Sequence, residues 1–478
     1  LTRRILRTRA TRLGSKRNVP KNCRNFQLSS SKPEKEKTTT EVLPGKIARK
    51  EFRNNISMFS KTLLIMQCLT IVFQYPISKP GERRVYVWGL FEHGALGIEK
   101  TKVNKDGLGC VTKPVRLKFG EQNNIHHLAC GYGFTAFAVH NSNKKILYGS
   151  GINTDSQIGF DPKDVKYKDS VIRQPRPINL PIQESSTRVL DIGAGRAHLL
   201  VLTHEGVFTL GNNAYGQCGR PIIENENYQN SRVVHRIPNI KGKKIKAVTA
   251  GQDHSILLTE AGEVYAFGWG ADGQTGLAHY HNEYRPGLVK GDLAGQRITK
   301  VASVCDCVLA LNDKGRVFGW GNSEYGQLPN KGDTHQVNIA TELKLGNAVG
   351  HVVDIAAGGS FCMVLNNLGE VFVWGYGILG LGPQVERVPN PTIIPPVLFG
   401  RNEYNKDSKV IKIFSGMSHL AALTNKGDLY MWGRNKYGSL GLGNFNDQYF
   451  PLKVNIGAQP QMVACGIDHS IALCRPFV

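Results

Sequence analysis

A unit of about fifty residues recurs along this chain, and that recurrence limits the fold more than any other feature. In its clearest copy, residues 245–276, an apolar run ends at Ala250-Gly251. A second run opens at His254, a turn follows at Gly262, and Val264-Tyr-Ala-Phe-Gly268 leads into a loop holding Gly273-Gln-Thr-Gly276. Short β-forming runs bounded by glycine read as strands of an antiparallel meander. One such meander is marginal in water, so it needs neighbours. The glycine closing the first run recurs at Gly131, Gly195, Gly251, Gly358, Gly416 and Gly466, with Val304 in the same slot. The glycine ending the later strand recurs at Gly89, Gly151, Gly211, Gly268, Gly321, Gly375 and Gly433. Trp88, Trp320, Trp374 and Trp432 each stand directly before it, and Trp269 directly after it.

The repeat opens in mid-unit and closes in mid-unit. Val85-Tyr-Val-Trp-Gly89 is a later strand with no earlier partner, and Val463–Leu473 is an earlier half with no later partner. The two remnants complete one blade of a closed ring, which removes the exposed sheet edges. The expected fold is therefore all-β: a seven-bladed β-propeller over residues 85–478, closed by N- and C-terminal strands that share a blade.

Charge divides the chain. The formal net charge is +23, and residues 1–53 hold 16 Lys/Arg against 4 Asp/Glu. Residues 1–24 carry no acid and mix basic with hydroxylated residues, the composition of a mitochondrial targeting segment. Residues 25–59 read as a polar linker. Residues 60–84 form an apolar lead-in whose run Thr62–Tyr75 is shorter than the roughly 20 residues a spanning helix needs. It suits a segment packed on the propeller's edge better than a peripheral contact with the inner membrane. The ten cysteines are scattered; Cys130 and Cys465 share one small-residue slot and read as packing residues, not a disulfide framework. Cys305-Asp-Cys307 has no nearby Cys or His companions, so no metal is expected.

Ala464-Cys-Gly-Ile-Asp-His469, Leu423-Thr-Asn-Lys-Gly-Asp-Leu-Tyr-Met-Trp-Gly433 and Gly216-Gln-Cys-Gly219 together resemble the regulator of chromosome condensation repeat, and the resemblance covers Val85–Val478. Val317–Tyr325, Val373–Gly380, Pro395–Gly400 and Asp447–Pro451 are most similar to the mitochondrial member of that family. The resemblance implies a non-catalytic platform without cofactors, delivered to mitochondria, in the matrix or on the matrix side of the inner membrane. It implies guanine-nucleotide exchange on a dynamin-like GTPase of inner-membrane fusion. The alternative it implies is assembly of the mitochondrial large ribosomal subunit, through binding its rRNA and the associated pseudouridylation and assembly factors.

No nucleophilic constellation, phosphate-cradling loop or recurrent carboxylate pair stands in the sequence. His198, His254, His419 and His469 share one slot, filled elsewhere by Phe134, Cys307 and Phe361. A residue so placed serves the fold, its ring nitrogens satisfying backbone groups at the glycine turn. Exchange needs only tighter binding of the nucleotide-free GTPase. By the resemblance, the acidic positions beside the Gly-x-x-His turn, Asp253, Asp306 and Asp468, are candidate GTPase contacts. Arg196 and Gln252, in the variable slot after the glycine, join them. For RNA, whose binding would fall steeply with salt, two basic runs are candidates. One is Lys163, Lys166, Tyr167, Lys168, Arg173 and Arg176; the other is Lys241, Lys243, Lys244 and Lys246.

Overall fold

The computed structural model describes residues 83–98, 109–140, 145–160, 170–240, 242–329 and 335–477, all within the compact unit Tyr75–Val478. The expected targeting segment, the linker and nearly all of the lead-in lie outside the described residues, as do Lys163, Lys166, Tyr167, Lys168 and Lys241.

Seven four-stranded antiparallel sheets make up the propeller. We number the blades from the first complete sheet. Blade 1 runs Ile125–Cys130, Phe134–Val139, Leu147–Ile152 and Val171–Pro177. Blades 2 to 6 start at Val189–Ala194, Ile245–Ala250, Ile298–Ala302, Val352–Ala357 and Val410–Ser415. Blade 7 is composite. Gln459–Cys465 and His469–Arg475 supply its first two strands, Arg84–Leu90 and Cys110–Arg116 its last two. The seam is a full antiparallel ladder in which Val87 faces Ile471 and Gly89 faces His469.

Position within the blade explains each strand's composition. Second strands such as His254–Thr259 and Phe361–Asn366 are buried at every residue, because both their faces meet neighbouring sheets. Fourth strands such as Glu283–Leu288 form the outer edge and stay partly wet. A propeller blade is a sheet packed face to face on the next, so its middle strands read as nearly continuous apolar runs.

Two of the hydrogen bonds that join blade to blade follow the repeat. The indole N–H of Trp320 donates to the carbonyl of Gln274 at 3.0 Å, and Trp374 reaches Gln327 at 2.9 Å. Trp432 reaches Leu379 at 3.2 Å, and Trp88 reaches Ser439 at 2.7 Å. Each acceptor lies in the preceding blade's loop at the Gly-Gln-x-Gly position, which reads Gly273-Gln-Thr-Gly276 on blade 3 and Gly438-Ser-Leu-Gly441 on blade 6. The last glycine of that loop is required by the same ring: a Cβ on Gly276 would lie 3.0 Å from Trp320.

The second contact involves the repeated histidines. His198 Nε2 meets Ser255 Oγ at 3.0 Å, His419 meets Ser470 at 2.9 Å and His469 meets Thr135 at 3.0 Å, each hydroxyl on the next blade. Those hydroxyls donate onward to the carbonyls of Gln217, Ser439 and Ala95. They therefore accept from Nε2–H, which fixes the tautomer. The histidines are architectural, as expected, but their Nε2 partner is a neighbouring blade's hydroxyl and not a backbone group of their own turn. Burial drives His198, His254 and His469 down to about 3 and His419 to about 4, so all four stay neutral.

Neighbouring blades match their residues at this slot except between blades 3 and 4, where the slot holds Val308 and His254 Nε2 meets Ser303 Oγ instead, at 3.3 Å. Where Phe134 and Phe361 replace histidine, the hydroxyl position on the next blade is Leu199 and Leu420, in the same apolar clusters. Where Cys307 replaces histidine, its Sγ lies 3.9 Å from Cys362 Sγ on blade 5. Every described cysteine is a free thiol.

Candidate face around the axial channel

In each blade the first strand runs outward to a turn, and the third strand ends at a long loop on the same face. That face therefore gathers all the Gly-x-x-His turns and all the Gly-Gln-x-Gly loops. The hairpins between second and third strands lie on the opposite face.

Around the axis the turns are laced by main-chain hydrogen bonds. Tyr132 N donates to Gly195 O at 3.2 Å, Arg196 N to Gln252 O at 2.9 Å, and Gly359 N to Met417 O at 3.0 Å. The side chain of Tyr132 crosses the mouth of the channel. Its hydroxyl lies 3.5 Å from Gln252 Oε1, 3.5 Å from Val304 O and 3.3 Å from Met417 Sδ, on blades 3, 4 and 6. Burial raises the phenol's pKa, so the hydroxyl keeps its proton. Behind it lies a cavity of about 180 Å³ lined by Cys130, Ala250, Val304 and Cys465 among others.

Four of the five turn candidates meet. Arg196 forks onto Asp253, Nε to Oδ1 at 3.1 Å and Nη2 to Oδ2 at 2.8 Å, bridging blades 2 and 3. Bidentate pairing of this kind is the geometrically specific one. Asp253 is almost wholly buried while Arg196 remains 44% exposed, so the guanidinium keeps a free edge toward solvent. Desolvation nonetheless raises the Asp253 carboxyl above its ordinary value, against the opposing pull of Arg196. Gln252 takes the Cys305 thiol at 3.3 Å. Asp306 accepts from Gln274 Nε2 at 3.1 Å and from Cys305 Sγ at 3.5 Å. Burial pushes its carboxyl up to about 6, and the neighbouring Asp272 and Asp253 add to the rise. Asp468 stands apart, at the turn of the composite blade, its carboxyl raised by desolvation.

The basic candidates do not converge to the same degree. Arg173 and Arg176 sit on the outer strand of blade 1, where Arg173 Nη1 donates to Glu92 O at 3.0 Å. Lys243 and Lys244 lie in the loop entering blade 3, on the opposite face, and Lys243 pairs with Glu263 at 2.5 Å. Lys244 and Lys246 are exposed. Among the described residues no group of three metal-ligating side chains converges, and no helix is long and apolar enough to cross a membrane.

Tyr132 escaped the sequence reading although it occupies the same slot as Arg196 and Gln252; the position after Gly131 was its signal. A second feature also lay hidden. Tyr325 and Tyr376, exposed at 39% and 38%, stack with ring centroids 5.5 Å apart at 22°. They border a groove of about 520 Å³ across blades 4, 5 and 6, lined also by Asp306, Glu324, Met417 and Arg434.

Comparison with known proteins agrees with this architecture. The RCC1-like domain model matches residues 185–476, and the regulator of chromosome condensation (RCC1) repeat matches residues 84–138. The chain is 46% identical over 420 residues to the mouse RCC1-like G exchanging factor-like protein, covering 85% of this chain and 91% of that one. The human protein of that name is 46% identical over 407 residues, covering 83% and 87%. The crystal structure of human WBSCR16 superposes with a TM-score of 0.77 at 45% identity, covering 83% of this chain and all of that one. A yeast RCC1 (Prp20), solved bound to Kap60, shares the fold at a TM-score of 0.68 and 21% identity. The motif, the seven composite-closed blades and these similarities establish that the chain belongs to the RCC1-like family.

Proposed function

We propose that the propeller acts as a guanine-nucleotide exchange factor in mitochondria, and that its target is a dynamin-like GTPase of the inner membrane. The reading is supported by the name of the mouse and human relatives and, above all, by one arrangement on the turn face. Arg196, Gln252, Asp253 and Asp306 form an arc around the channel mouth over blades 2, 3 and 4, joined directly at Arg196–Asp253 and through Cys305 between Gln252 and Asp306. Exchange requires binding that favours the nucleotide-free state, and an arc of fixed acidic and cationic groups can compete for the groups that hold nucleotide phosphate and Mg²⁺. The propeller itself makes and breaks no covalent bond. The test is release of a fluorescent GDP analogue from the GTPase at micromolar propeller. Acceleration that falls at least tenfold in an Arg196→Glu variant supports the reading; no acceleration by the unaltered protein ends it.

A second reading rests on a separate surface. The exposed Lys244 and Lys246 lie away from the turn face, where a polyanion could be held while the first face is occupied. We propose binding of mitochondrial large-subunit rRNA there, together with its pseudouridylation and assembly factors. RNA crosslinked in mitochondria should drop in a Lys244→Glu/Lys246→Glu variant, and an unchanged yield counts against this surface.

A further inference from the structure

The groove over blade 5 has polarity as well as shape. Its blade 4 wall carries Asp306 and Glu324, its blade 6 wall carries Arg434, and the Tyr325–Tyr376 pair and Met417 lie between. Asp306 borders the groove, and its two hydrogen-bond donors, Gln274 on blade 3 and Cys305, are both uncharged. Glu324 and Arg434 are exposed. Aromatic faces beside carboxylates attract a cation twice, through the ring quadrupole and through charge. Among the described residues Arg434 forms no ion pair with Asp306 or Glu324, and blade 5 lies between them.

We propose that this groove is a docking site for a basic side chain, arginine or lysine, carried on a segment of a partner protein that crosses blade 5. The side chain lies along the exposed faces of the stacked tyrosine pair and meets Asp306 and Glu324. A backbone carbonyl or carboxylate of the same segment meets Arg434. Arginine fits the better of the two, because its planar guanidinium stacks on tyrosine while forking onto a carboxylate. The half-buried Asp306 carboxyl, raised by desolvation, gains a counter-charge on docking, so binding favours its ionised form. The inference rests on the reading of the turn face as the partner face, and it adds which part of that face holds which chemistry. An RNA segment is disfavoured here because the blade 4 wall would repel phosphate.

The probe is an acetylated, amidated Gly-Arg-Gly peptide titrated into the full chain by calorimetry, with Gly-Glu-Gly as its counterpart. Binding of the arginine peptide should weaken at least tenfold in Asp306→Asn and in Tyr376→Ala, and hold within twofold in Lys426→Ala, in the blade 6 hairpin on the opposite face. Circular dichroism and the melting transition of each variant verify the fold. An arginine peptide that binds no better than the glutamate peptide, or that ignores both groove substitutions, overturns the proposal. Nucleotide release measured on the same variants separates the two readings. Peptide binding without accelerated release removes exchange alone, and accelerated release without binding of the arginine peptide removes the groove alone.

Discussion

The imidazole of His254 lies against the α-carbon of Gly251: a Cβ there would stand 2.0 Å from Cε1 and 2.6 Å from Nδ1. Glycine is held at this position by its neighbour's ring, since its φ does not lie in the left-handed region. Blade 4 supplies the natural control, where Cys307 takes the histidine slot and Val304 takes the glycine slot.

Gly251→Ala should destabilise the propeller by about 1–3 kcal/mol, the usual range for overpacking. The same substitution should cost less when His254 is already Cys. Relief will be partial, because the new Cβ would also stand 2.6 Å from Cys305 O. A double-mutant cycle in urea measures the coupling, and a coupling near zero contradicts the ring-on-glycine account.

The tryptophans should not be equivalent. Gln274 O takes the indole N–H of Trp320, and replacing Trp320 with Phe leaves that buried carbonyl without it, at about 1–3 kcal/mol. Ser439 O accepts from both Trp88 and Ser470 Oγ, at 2.7 and 2.9 Å. Trp88→Phe should therefore cost less than Trp320→Phe in denaturant titrations, although Trp88 stands at the ring's closing seam.

Acid should loosen the ring early. His198, His254, His419 and His469 are held neutral when folded, with values of about 3 to 4 against an ordinary 6.5. The unfolded chain takes up their protons first as pH falls. Their contribution is complete above pH 6.5 and is lost as pH drops toward 4, at up to about 1.4 kcal/mol per histidine per pH unit. Urea midpoints measured between pH 7 and pH 5 should show this slope, and His419→Gln should make it shallower.

Asp306 carries the opposite sign. Its carboxyl sits at about 6 in the fold against an ordinary 3.8, so above pH 6 the folded protein holds a desolvated carboxylate. Asp306→Asn should raise the melting temperature at pH 7.5, and the gain should vanish below about pH 4. A residue that weakens the fold at neutral pH while bordering a groove fits a binding role. Equal melting of the two proteins at pH 7.5 would contradict the burial argument.

The fold was legible because its signals are local. Short apolar β-forming runs, the glycine of each turn and the Trp-Gly strand ends each follow from a few consecutive residues, and counting them gives seven blades and a composite seventh. Even the closing seam could be read, since a half-unit at each end has no other partner. The histidine slot was legible as architecture, but its partner was not. Ser255 lies 57 residues from His198, and only the rotation of one sheet against the next brings the hydroxyl to the ring.

The face around the channel divides in the same way. Arg196, Gln252, Asp253 and Asp306 could be named from the repeat because each occupies a defined turn position. That Arg196 reaches forward onto Asp253, that Tyr132 closes the channel mouth, and that Tyr325 stacks on Tyr376 were decided by the ring. Such contacts join residues of different blades, and their geometry depends on how many sheets share the circle. The sequence by itself determined the blade, its count and its closure, because hydrophobic period and turn chemistry act over a few residues. The tertiary structure alone decided which side chains meet across blade boundaries, because packing one twisted sheet on another sets distances that no local pattern encodes.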